Sequence, residues 1–118
     1  MQEPTVLIIE DDPEVARAIR RALRTQAVAC RVAGTVAEVR ESQGRFKVAI
    51  VDVNLPDGNG LDVYDELRLG SRVDRGIFFT ATDNERDKAR ASSVGKLIPK
   101  SRGIDAAVDE ALASMKSN

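Results

Sequence analysis

Val48-Ala49-Ile50-Val51-Asp52 sets four apolar side chains in an unbroken row before a single carboxylate. A row without polar alternation reads as a strand buried on both faces, as in a parallel sheet covered by helices on either side. The same pattern stands upstream, where Val6-Leu7-Ile8-Ile9 runs into Glu10-Asp11-Asp12. It recurs downstream, where Gly76-Ile77-Phe78-Phe79 runs into Thr80. Cys30 to Ala33 is a weaker second strand, and Leu97-Ile98 a short fifth one that leads into Pro99-Lys100-Ser101.

Helical patterns fill the intervals. Val15, Ile19, Ala22 and Leu23 share one face after Asp12-Pro13, a good N-cap and first-turn pair. Thr35 caps a short helix through about Glu41, with Val36 and Val39 facing inward. The turn formers Pro56-Asp57-Gly58-Asn59-Gly60 precede a helix that carries Leu61, Tyr64, Leu67 and Arg68 and stops near Gly70. A polar helix is expected around Asn84 to Ser92. The last one places Ile104, Ala107, Val108, Ala111, Leu112 and Met115 at helical spacing. Five alternating units predict a doubly wound α/β fold with a five-stranded parallel sheet, and one domain over residues 1–118. In such folds sites lie at the carboxyl ends of the strands.

Composition narrows the chemistry. The 118 residues hold 18 basic and 19 acidic side chains, a net charge of −1, so no broad attraction to nucleic acid or anionic lipid is expected. With no histidine, the chain has no Ser-His triad, His-ligated zinc or phosphohistidine of its own. The single Cys30 excludes internal disulfides and multi-cysteine metal clusters and favours a reducing compartment. No basic, apolar leader precedes Val6, so a cytoplasmic location and no membrane partner are expected.

The strand ends gather Glu10, Asp11 and Asp12, then Asp52, Thr80 and Lys100. Clustered carboxylates repel one another unless a cation sits among them. Hard oxygen ligands without imidazole or thiolate suit Mg²⁺ or Mn²⁺. A carboxylate, a hard cation, a hydroxyl and a lysine are apt for phosphoryl transfer, and the carboxylate can itself be the nucleophile.

Glu10-Asp11 after the first strand, Asp52 followed by Pro56 and Gly60, then Thr80 and Lys100, resemble the receiver domain of bacterial two-component response regulators. The resemblance covers essentially the whole chain. It implies a flavodoxin-like (βα)5 fold with strand order 2-1-3-4-5. It implies Asp52 as phosphoacceptor, fed by the phosphohistidine of a histidine kinase or phosphotransfer protein. It implies Mg²⁺ held by Asp11, Asp52 and the backbone carbonyl of Asn54, with Glu10 acting largely through a water. Thr80 would hydrogen-bond the phosphoryl group and shift with it, and Lys100 would pair with one of its oxygens. Asn54 and Thr82 would tune the lifetime of the phosphorylated state. A downstream protein target or a fused output domain completes the implied partners.

Three features depart from that pattern. Leu97 stands where an aromatic ring usually does, and Pro99 precedes Lys100 while Ser101 follows it. The stretch from Thr80 to Lys100 is also short, and the helix within it sets Arg86, Lys88 and Arg90 among small residues. Without proline after the lysine, a cis peptide would cost a few kcal/mol. Either that strain is held, or the peptide is trans and the lysine is placed differently. These departures motivate the alternative of a protein-docking module that works without phosphorylation. Among single residues, Asp12 reads as a helix cap, Asp57 as a turn former and Cys30 as a small core residue. Arg20, Arg21 and Arg24 read as a solvated stripe or part of a kinase-docking surface.

Overall fold

The apolar rows form the strands expected of them in a computed structural model that describes residues 4–116. The strands are β1 (Val6–Ile9), β2 (Cys30–Ala33), β3 (Phe46–Val51), β4 (Val73–Thr80) and β5 (Lys96–Pro99). All neighbours are parallel, in the order β2-β1-β3-β4-β5. The helices between them are α1 (Pro13–Thr25), α2 (Val36–Glu41), α3 (Gly60–Leu69), α4 (Glu85–Val94) and α5 (Ile104–Met115). This is the five-unit doubly wound fold expected from the sequence, with strand order 2-1-3-4-5.

Alternation along each strand divides the core in two. Leu7, Ile9, Ala49, Val51 and Phe78 join Val39, Leu61, Tyr64 and Leu67 on the face covered by α2 and α3. Val6, Ile8, Val48, Ile50, Ile77 and Phe79 join Ile19, Leu23, Ala107 and Val108 on the face covered by α1 and α5. Each buried aliphatic contributes about 1.5–3 kcal/mol relative to exposure, so both faces of β1 and β3 help to hold the sheet. Tyr64 packs edge-to-face on Phe78 with ring centroids 5.0 Å apart. Gly76 makes room for it, since a Cβ there would stand 2.6 Å from the Tyr64 ring.

Several elements run beyond the sequence reading. β3 starts at Phe46 and β4 at Val73, and α4 continues to Val94. In β4 the added residues Asp74 and Arg75 are exposed, so burial gave no apolar signal there. The turn formers after β3 make a small antiparallel hairpin that pairs Asn54–Leu55 with Gly58–Asn59. Caps follow the expected chemistry. Asp12 accepts from the Glu14 N–H at 2.9 Å, and Thr35 accepts from the Glu38 N–H at 3.0 Å. No helix among the described residues is long and apolar enough to cross a membrane.

Candidate functional site

Register brings the acidic residues together. Ile9 pairs with Val51, and Val51 with Phe78, so Glu10 and Asp52 leave the sheet side by side. Thr80 pairs with Pro99, which delivers Lys100 to the same edge. The backbone continues the ladder there, as the Asp52 N–H donates to the Ile9 carbonyl at 2.8 Å. Gly60 closes the other side: a Cβ on it would lie 2.1 Å from the Asp52 carbonyl oxygen. Only glycine lets the start of α3 press so closely on the strand end.

Glu10, Asp52 and Thr80 are buried, Lys100 is half-buried and Asp11 is exposed. The Asp52 carboxylate is held at both oxygens. Its Oδ1 accepts from the Thr80 hydroxyl at 2.9 Å and from the Asn54 N–H at 3.1 Å. Its Oδ2 accepts from Lys100 Nζ at 2.9 Å, and the same ammonium lies 2.7 Å from Glu10 Oε1. Glu10 Oε2 in turn accepts from the Asp12 N–H at 3.1 Å.

Electrostatics follow from that packing. Burial pushes the Glu10 carboxyl above its ordinary range, against the pull of Lys100 and the Asp12 N–H, and the nearby Asp52 charge adds to the rise. Burial alone would lower the Lys100 ammonium, but its hydrogen bonds to Glu10 and Asp52 outweigh that and carry it upward. The lysine is therefore charged and committed to the site. One ammonium among three carboxylates leaves the cluster short of positive charge. Glu10, Asp11 and Asp52 each offer one oxygen, and these oxygens lie within 4.8 Å of one another. A compact all-oxygen donor set with surplus negative charge fits a hard divalent cation such as Mg²⁺.

Among the described residues no peptide is cis, so Lys100-Ser101 is trans. Lys100 opens a short 3₁₀ turn, Lys100–Arg102, and still reaches both carboxylates, so the trans peptide does not displace the lysine. Leu97 is half-buried and packs against the core on the α2 and α3 face.

The remaining sequence candidates separate from the site. Asp12 caps α1. Cys30 is half-buried, and burial raises its thiol pKa although Arg20 and Arg24 pull the other way. Arg20, Arg21 and Arg24 are exposed on α1. Asp57 does more than make a turn: its carboxylate accepts from the N–H groups of Val36 at 2.7 Å and Ala37 at 3.1 Å, capping α2 from the hairpin. No local signal could have announced that role, because the partners lie 21 and 20 residues away.

Residues 6–105 match the family model of the response regulator receiver domain. The chain belongs to that family. The acid tolerance regulatory protein ActR of Rhizobium meliloti is 34% identical over 116 residues, covering 96% of this receiver and 58% of that protein. The receiver spans about half the length of the curated relatives it matches. A response regulator receiver protein from Burkholderia phymatum is 29% identical with a TM-score of 0.76, covering 98% of both chains. The TrrA response regulator of Thermotoga maritima, solved in complex with Mg²⁺-BeF, shares the fold at 19% identity and a TM-score of 0.79, covering 95% of this receiver and 99% of that chain.

Proposed function

We propose that Asp52 accepts a phosphoryl group from a phosphohistidine of a partner histidine kinase or phosphotransfer protein. An Asp52 carboxylate oxygen attacks phosphorus, a P–O bond forms, and the P–N bond breaks with its electron pair returning to the donor imidazole. The observation that carries this reading is the grip on Asp52, whose two oxygens face the Thr80 hydroxyl and the Lys100 ammonium. Those groups stand beside the place where negative charge gathers during transfer, already oriented by the strand ends. The Thr80 hydroxyl donates to a phosphoryl oxygen, and Lys100 neutralises another.

Asp11, Asp52 and the Asn54 carbonyl would hold Mg²⁺ (or Mn²⁺), with Glu10 supporting the site beside them. A bound divalent cation supplies charge neutralisation for the phosphoryl oxygens. The Mg²⁺-BeF complex of TrrA, similar in fold, supports that assignment. Asn54 and Thr82 flank the acceptor and set the lifetime of its aspartyl phosphate. The receiver acts in the cytoplasm and passes its state to a downstream protein or a fused output domain, without contacting nucleic acid or membrane itself.

Incubation with Mg²⁺ and acetyl phosphate tests the reading by intact mass. One added phosphate on the native chain and none on Asp52→Ala is the expected result. No adduct, or one that survives Asp52→Ala, would leave the phosphorylation-independent docking module as the better account.

A further inference from the structure

The hairpin after β3 is too small to hold its own shape. Asn54 pairs with Asn59 and Leu55 with Gly58, and a turn of Pro56 and Asp57 joins them. A hairpin of this size is marginal in water without outside support. Its root carries a residue that matters to the acceptor. The Asn54 N–H donates to Asp52 Oδ1 at 3.1 Å, and the Asn54 carbonyl is the backbone oxygen proposed for the cation.

The outside support comes from α2. Leu55 is buried in the core on the α2 and α3 face. Gly58 lies against Val36, where a Cβ would stand 3.0 Å from a Val36 methyl. At the tip, the Asp57 carboxylate spans the first two N–H groups of α2, those of Val36 at 2.7 Å and Ala37 at 3.1 Å. α2 also has a capping box of its own. Thr35 accepts from the Glu38 N–H at 3.0 Å, and Glu38 accepts from the Gly34 N–H at 3.3 Å. The Asp57 bonds therefore serve the hairpin as well as the helix.

α2 is a sound anchor for this purpose because it starts beside the acidic strand end. The Glu10 N–H donates to the Ala33 carbonyl at 3.0 Å, and a Cβ on Gly34 would lie 3.5 Å from the Glu10 carbonyl oxygen. At its far end Arg40 lies 2.7 Å from Glu66 of α3.

We propose that Asp57 is a positioning residue of the cation site: by pinning the hairpin tip to α2, it fixes where the Asn54 carbonyl stands relative to Glu10 and Asp11. The proposal rests on the reading of that carbonyl as a ligand of Mg²⁺. Asp57 acts through the hairpin, whose root stands at the acceptor and whose tip is pinned. Without the pin the Asn54 carbonyl samples more positions, and a cation must order it on binding. The cost falls on cation affinity, and phosphoryl transfer is spared once the cation is in place. By reciprocity, a bound cation tightens the pin.

Titration of the full chain with Mg²⁺, followed by NMR of backbone amides and by calorimetry at a temperature where every variant is folded, tests the pin. Asp57→Ala should raise the Mg²⁺ dissociation constant about tenfold, the lower end for losing a group that orients a metal ligand. Asp57→Asn keeps one carbonyl oxygen for the Val36 N–H and should fall between Asp57→Ala and the native chain. Thr35→Ala takes a cap from α2 without touching the hairpin and should stay close to native. Mg²⁺ should shift the Val36 and Ala37 amides in the native chain and leave them unmoved in Asp57→Ala. Labelling of Asp57→Ala by acetyl phosphate should lag when Mg²⁺ is scarce and reach the native rate at saturation. An unchanged dissociation constant in Asp57→Ala, an equal loss in Thr35→Ala, or a labelling deficit that persists at saturating Mg²⁺ overturns the pin. A native chain that binds no Mg²⁺ overturns the cation reading and this proposal with it.

Discussion

α3 and α4 are both ten residues long and lie on the same face of the sheet, yet they are attached by different physics. α3 buries Leu61, Val63, Tyr64 and Leu67 and presses Gly60 onto the strand end that carries Asp52. At about 1.5–3 kcal/mol for each large apolar side chain, it is part of the core. α4 buries Ala91 alone and leans on Arg90. The strand end that carries Asp52 is therefore backed by a helix of the core, while α4 beside it buries little and pairs by charge.

That contrast is open to direct attack. Tyr64→Ala should remove about 3–5 kcal/mol of stability in urea unfolding, the range for emptying a buried aromatic site. A loss under about 1.5 kcal/mol would show that α3 is no better anchored than α4. Arg90→Met should cost about 1 kcal/mol or less, and the difference should shrink as salt rises. A loss above about 2 kcal/mol that ignored salt would make α4 a structural element like its neighbour.

α2 sharpens the comparison with a third kind of attachment, the remote cap from Asp57. The backbone N–H groups of Val36 and Ala37 lower the Asp57 pKa, with the nearby Arg40 helping. A carboxyl whose folded pKa is depressed stabilises fully above its unfolded pKa and loses that contribution as pH falls through the folded value. Asp57→Ala should therefore melt below the native chain at neutral pH, with the gap closing on acidification. A gap independent of pH would mean that Asp57 works through turn geometry and not through its charge.

Legibility in the sequence followed the range of the interactions. β1 was readable to the residue because Val6 to Ile9 carries an unbroken apolar signal, and β2 more weakly because Cys30, Val32 and Ala33 stand around an exposed Arg31. The first residues of β3 were not, because Lys47 interrupts the row after Phe46. Glu10, Asp52, Thr80 and Lys100 could be named because parallel strands end at one edge, so strand order was enough to gather them. The pairing of Arg90 with Asp62 and Asp65 depends on α3 and α4 standing side by side, and the Asp57 cap on a hairpin folding back to α2. Both are contacts between distant segments whose residues look like ordinary surface charges when read alone.

The strand order has a further consequence at its margins. The two outer strands, β2 and β5, run only four residues each, as does β1, against six and eight for β3 and β4 at the centre. β5 also ends in Pro99, which has no N–H to offer. Such short margins are poor templates for strand addition by another chain. The sheet therefore offers another chain little edge to pair with.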